Sequence, residues 1–257
     1  MKYFDTHAHI GLIQSDPIEE LIVIQEAKQE NVEHIVSICN SLYDFDTVYN
    51  NLKTATNIYH AVGISPSEVV HQGRGWENKI AECVKLDRVV AIGEIGLDYF
   101  RKFGDKDSQV SLFIKQLELA SQLNFPVIIH NRDAGQDVLE ILQRRLPKKG
   151  GVLHCFSENW EYAKKALNLG MYISFAGNIT YKNAKNLHET ALKRPIENML
   201  IESEAPFMVP AEYKGKRNMP AYIHSTLKFI ADLRGMDPEE TADILYNNSL
   251  KFFNIKE

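Results

Sequence analysis

The chain has 257 residues and a net charge of −5, with 44% hydrophobic and 25% charged residues. That is enough apolar material for one large core, and a single α/β barrel of about 250 residues would use all of it. The charge excludes a globally basic surface built to grip long stretches of phosphate backbone. No apolar run approaches the roughly 20 residues of a membrane span, and three widely spaced cysteines exclude a disulfide framework. The expectation is a monomeric, cytoplasmic protein without a signal peptide or membrane contact, organised as one domain over residues 1–257.

In chain order, short β-rich runs alternate with longer amphipathic stretches from end to end. Strands are predicted at 2–5, 33–39, 58–64, 88–94, 126–130, 151–154, 170–175 and 198–202. Helices are predicted at 17–31, 45–55, 77–86, 107–123, 136–146, 158–169, 184–192, 220–234 and 238–253. Ser15-Asp16-Pro17 and Asp237-Pro238 read as helix starts, and Leu169-Gly170 and Arg234-Gly235 as helix ends. Strict alternation with eight strands predicts a parallel (β/α)8 TIM barrel and argues against an open doubly wound sheet. Neither a G-x-G-x-x-G nor a Walker loop is present. Residues 66–76 and 205–220 form the longest irregular stretches, on the side of the barrel that carries active sites.

Five of the predicted strands stop on, or just before, a potential metal ligand. Phe4-Asp5-Thr6 leads into His7-Ala8-His9, Ile92-Gly93 into Glu94, and Ile128-Ile129 into His130. Val152-Leu153 leads into His154, and Ile201-Glu202 into Ser203-Glu204. Residues i and i+2 of a strand share a face, so His7 and His9 can converge on one ion. The barrel gathers the other strand ends beside them. Four imidazoles and two carboxylates exceed one tetrahedral site and suit two divalent ions, with Glu94 as the natural bridge. Imidazole-rich ligation favours Zn, Mn, Fe or Co over Mg. The reaction class is metal-assisted hydrolysis. His34, His60, His71, His188 and His224 read as structural or surface residues. Cys155 reads as a packed thiol, and Tyr99 and Phe100 as rim residues able to stack a base.

These motifs resemble the TatD family of metal-dependent deoxyribonucleases, within the amidohydrolase-like barrels, along essentially the whole chain. The similar segments are Phe4-Asp5-Thr6-His7-Ala8-His9, Gly93-Glu94-Ile95-Gly96-Leu97-Asp98-Tyr99 and Pro126-Val127-Ile128-Ile129-His130 with Arg132-Asp133-Ala134. His154-Cys155-Phe156-Ser157, Glu202-Ser203-Glu204-Ala205-Pro206, Arg217-Asn218-x-Pro220 and Asn248-x-x-x-Phe252 complete the set. The resemblance implies His7, His9 and Glu94 on one metal, and Glu94, His130 and His154 on the other. It implies a Mg- or Mn-dependent nuclease, with Zn also possible, cutting single-stranded DNA from its 3′ end. Arg132 would contact phosphate. Glu204 would be metal ligand and general base, making it, with Glu94, the catalytic pair.

The chain departs from the family pattern around the substrate. Glu204 stands where the usual Glu-Thr-Asp has Asp. Gly63-Ile64-Ser65-Pro66-Ser67 replaces Gly-Ile-His-Pro-His, so Ser65 and Ser67 offer hydrogen bonds but no positive charge. Asn218-Met219-Pro220 replaces Asn-Glu-Pro, leaving Asn218 as the polar contact. Single-stranded DNA is the leading substrate. A small amide, ester or phosphoester is the alternative, and a non-catalytic metal-binding partner subunit the second.

Overall fold

The structure is a computed structural model in which residues 1–14 and 16–256 are described. Eight parallel strands occur among them in the order β1 (Tyr3–Ala8), β2 (Val32–Ser37), β3 (Ile58–Val62), β4 (Val89–Asp98), β5 (Val127–Arg132), β6 (Gly151–Leu153), β7 (Tyr172–Phe175) and β8 (Met199–Ile201). Each pairs with its sequence neighbour, which makes a nearly closed TIM barrel. The helices are α1 (Ile10–Ile13), α2 (Pro17–Gln29), α3 (Leu42–Leu52), α4 (Trp76–Cys83), α5 (Lys106–Leu123), α6 (Gly135–Arg145), α7 (Trp160–Asn168), α8 (Lys185–Lys193), α9 (Ile223–Arg234) and α10 (Pro238–Phe253). No helix among the described residues is long and apolar enough to cross a membrane.

Alternation along the strands builds two cores. Inside the barrel, Phe4, Val36, Ala61, Ala91, Ile128, Val152 and Leu200 pack together, and Tyr246, Phe252 and Phe253 from α10 join them. The opposite faces pack beneath the helices, as Ile35, Ile58, Val62, Ile92 and Ile129 do. Helix starts follow the chemistry of their caps. Asp16 accepts from Ile18 N–H at 2.9 Å and Glu19 N–H at 3.2 Å, whereas Ser15 of the predicted start lies outside the described residues. Helix α3 opens three residues earlier than expected because Ser41 Oγ accepts from Asp44 N–H at 3.1 Å.

No ladder pairs β8 with β1 among the described residues; the seam is held by other bonds. Thr6 Oγ1 donates to Ile201 O at 2.9 Å, Glu204 N–H to His7 O at 2.9 Å, and His9 N–H to Ala205 O at 2.8 Å. Asp5 Oδ1 accepts from Ser203 N–H at 2.8 Å. Burial pushes the Asp5 carboxyl up to about 7, against the hydrogen bonds from Ser203 and His7 that favour its ionised form.

His60 is buried on the helix-facing side of β3, edge-on to Phe45 and Tyr49 of α3. Burial, reinforced by Arg88, lowers its imidazole to about 4. Above the unfolded value of about 6.5 both states are neutral and His60 adds no pH dependence. Below it the unfolded chain binds a proton that the folded chain refuses until about pH 4. His60→Phe should therefore remove an acid-destabilising contribution of roughly 2–3 kcal/mol between those limits. Urea melts of the two proteins at pH 7 and pH 4.5 check it; a gap between them that does not change with pH contradicts it.

Candidate metal centre

β-bulges aim the ligands. In β4 against β5, Ile92 pairs with Val127 but Ile95 pairs with Ile129, so one extra residue is inserted where Glu94 sits. A similar shift in β1 against β2 falls between Asp5 and Ala8, at His7. Gly96 runs at φ +144°, and a Cβ there would stand 2.0 Å from His130 O, so only glycine lets β4 pass this close to β5. Glu204 has φ 57° and Cys155 φ 42°, left-handed backbone at two non-glycine residues beside the site.

The six predicted ligands come together at the C-terminal mouth of the barrel. His7 Nε2 and His9 Nε2 lie 3.2 Å apart, and each is 3.7 Å from Glu94 Oε2. On the other side, Glu94 Oε1 is 2.7 Å from His130 Nδ1 and 3.4 Å from His154 Nε2, which are 3.3 Å from each other. Thus the two oxygens of Glu94 face two separate imidazole pairs. Glu204 Oε2 lies 3.3 Å from His7 Nε2 and 3.6 Å from His154 Nδ1, and no hydrogen bond to it is made among the described residues.

A tetrahedral ion with metal–nitrogen bonds of about 2.1 Å holds its donors roughly 3.4 Å apart. The spacings of the first triad, 3.2–3.7 Å, bracket that value and those of the second, 2.7–3.4 Å, reach it, and His7–His9–Glu94 and Glu94–His130–His154 each form a compact donor set. Glu204 Oε2, buried and without a hydrogen bond among the described residues, adds an acceptor beside them. The residues fit divalent cations.

Electrostatics divide the imidazoles. Burial drives His7 well below the ordinary histidine value, and the neighbouring His154 and His9 push the same way. For His130 and His154 burial is the largest single influence and opposes the charged form, but Glu94 together with Asp98 for His130, and with Glu202 and Glu204 for His154, outweighs it and holds both above the ordinary value. Burial would raise Glu94, yet the His154 and His130 imidazoles hold it well below the usual carboxylate range. Glu94 is therefore an anion embedded among imidazoles.

Two further carboxylates act on the ligands from behind, and sequence reasoning gave neither a role. Asp98 Oδ2 is 3.2 Å from His130 Nε2, the nitrogen facing away from Glu94. Glu202 Oε1 is 3.4 Å from His154 Nδ1 and accepts Cys155 N–H at 2.8 Å. Such partners fix ring orientation and tautomer. The available signals were spacing alone: Asp98 lies four residues past Glu94, and Glu202 lies two before Glu204.

A cavity of about 340 Å³ opens over the cluster. Ser65 and Ser67 line it, their hydroxyls 2.9 Å apart, as do Arg101 and Arg132. The Arg132 guanidinium stands 4.1 Å above the Phe100 ring, and Phe100 is exposed at the rim. Asn218 lies apart. It is buried and donates to Ser203 O at 2.6 Å and to Phe207 O, so its amide braces the loop that carries Glu204. Cys155 borders the cavity, because β6 ends at Leu153 and the strand alternation that would turn the thiol away does not reach it. Tyr99 is tied to Asp137 Oδ2 at 2.7 Å, below the rim. Of the remaining histidines, His34 packs among Phe4, Tyr59 and Tyr246, and His188 and His224 meet backbone carbonyls.

Known proteins resemble the chain along its length. The family model for TatD related DNase matches residues 4–254. A Bacillus subtilis protein described as the uncharacterized metal-dependent hydrolase YabD is 38% identical, over 98% of this chain and 99% of its own. The 3'-5' ssDNA/RNA exonuclease TatD of a Rahnella strain is 34% identical over 76% of each chain. Among solved structures, the TatD homologue YJJV of Escherichia coli K12 superposes with a TM-score of 0.91 at 29% identity, covering 99% of this chain and 98% of its own. The chain belongs to the TatD-related family of metal-dependent hydrolases.

Proposed function

We propose that the protein is a phosphodiesterase that uses two divalent metal ions to release nucleotides from the 3′ end of single-stranded DNA. The observation that carries this reading is Glu94, whose two oxygens face separate imidazole pairs at metal-ligand spacing. His7 and His9 would hold one ion and His130 and His154 the other, with Zn, Mg or Mn the candidates. When bound, such a pair would offset charge on the phosphoryl oxygens and lower the pKa of a bound water. Glu204 would accept a proton from the attacking water through Oε2, which makes no hydrogen bond among the described residues. Arg132 supplies positive charge to the phosphate, and the Ser65 and Ser67 hydroxyls donate to it. The activity of the Rahnella relative, named an exonuclease on single-stranded DNA and RNA, is consistent with this substrate class.

The test is mononucleotide release from 3′-labelled single-stranded DNA with added Mg, Mn or Zn, for wild type and His130→Ala. Metal-dependent release that disappears in the variant is the expected result. A second reading, hydrolysis of a small phosphoester, is favoured by the two neutral serines in the cavity and by the acidic net charge. Turnover of a small phosphodiester without release from DNA would select it. No turnover of either substrate would contradict both readings.

A further inference from the structure

A smaller cavity of about 180 Å³ adjoins the one over the metal cluster, and His9 and Asn40 line both. Leu12, Ile38, Val48 and Tyr43 give the smaller slot apolar walls. Glu20 also lines it, although the residue is only 1% exposed. Asn51 donates to Glu20 Oε2 at 3.0 Å and is the partner of that carboxylate among the described residues. The space exists because residue 11 is glycine. A Cβ there would stand 2.6 Å from Val48 Cγ2 and 3.7 Å from Glu20 Oε1, so any side chain would fill the slot in front of that oxygen.

Glu20 lies in the first turn of α2, where a negative charge suits the helix dipole. That accounts for the charge but not for its burial against an apolar slot. A carboxylate there needs a ligand that donates hydrogen bonds and carries no negative charge. Asp44, at the slot's edge, repels anions as well. The guanidinium groups of Arg101 and Arg132 line the neighbouring cavity instead, with the metal ligands. The two adjoining cavities therefore suit the two ends of a nucleotide: phosphate at the His and Glu cluster and a flat, apolar, amino-bearing ring beside Glu20.

We propose that this slot is a nucleobase subsite in which Glu20 accepts the exocyclic amino group of the base and Tyr43 stacks on its ring. The proposal rests on the phosphodiesterase reading and adds base selectivity to it. Cytosine, adenine and guanine carry such an amino group. Thymine does not, and its carbonyl oxygens would face the carboxylate. A carboxylate accepting from the cytosine amino group is an established mode of base discrimination.

The test is equilibrium binding of dCMP and dTMP to the metal-loaded protein by calorimetry, which needs no turnover. Wild type is expected to bind dCMP roughly tenfold more tightly than dTMP. Glu20→Gln, which offers a donor as well as an acceptor, should bring the two within about twofold. Tyr43 is 80% exposed, so Tyr43→Ala preserves the fold; it should weaken dCMP by about fivefold or more. Equal binding of dCMP and dTMP by wild type, or unchanged affinity in Tyr43→Ala, would overturn the subsite. Displacement of dCMP by spermidine at comparable concentration would also overturn it, assigning the slot to cationic amines. Selective dCMP binding in a protein that cuts no phosphodiester would contradict the phosphodiesterase reading and leave the slot in place.

Discussion

Glu94→Gln should lower kcat/KM for nucleotide release by about 10³-fold or more. Glutamine keeps the volume of the side chain and one acceptor oxygen, so the fold should survive. It loses the charge that sits between the two imidazole pairs, 2.7 Å from His130 Nδ1 and 3.7 Å from both His7 Nε2 and His9 Nε2. Its amide nitrogen is not a ligand. Each triad is then left with two imidazoles and no anion, and the ions would have nothing to bridge them. The measurement is steady-state release from 3′-labelled DNA at saturating metal. A loss below about tenfold would mean that Glu94 is a structural anion and that one ion suffices.

Glu204→Gln should act differently. The five remaining ligands of the two triads are untouched, so metal content should stay near that of wild type. The loss should fall on kcat, by about 10²–10⁴-fold, the range for removal of a positioned general base. Glu204 Oε2 is held beside His7 and His154 by backbone geometry: Glu204 N–H donates to His7 O at 2.9 Å, and φ is 57°. Glu204→Asp keeps a carboxylate but withdraws it by one methylene. A displacement on the order of 1 Å costs about 100-fold, so the aspartate variant should be intermediate or equally impaired. Wild-type kcat in Glu204→Gln would remove Glu204 from the chemistry.

The strand pattern and the six clustered His and Glu side chains were legible because five of the eight strands are short apolar runs leading into such a residue, and the barrel brings those ends together whatever their sequence spacing. What was not legible depended on local backbone geometry. β4 continues through Asp98, past its expected end at Glu94, because Gly96 permits close contact with β5 where a glycine in a run reads as a stop. The four-residue α1 carries a glycine and offers no periodicity. Asp98 and Glu202 were visible as letters, but which imidazole nitrogen each would face depends on the bulged register of β4 and on where β6 ends. Asn218 pointed to substrate by its position in a motif, yet the loop around Pro206 folds back on it and consumes its amide. The slot beside Glu20 was invisible to sequence reasoning because it is made by the side chain that Gly11 lacks.

The proposed mechanism depends on Glu94 joining two ions in one hydrolytic site. It is tested most directly by metal analysis of wild type and Glu94→Gln after loading with Mn or Zn and removal of excess metal, with nucleotide release measured on the same samples. About two ions per chain and metal-dependent release are expected for wild type, and at most about one ion with release near background for Glu94→Gln. Two ions retained with full release in Glu94→Gln would contradict it.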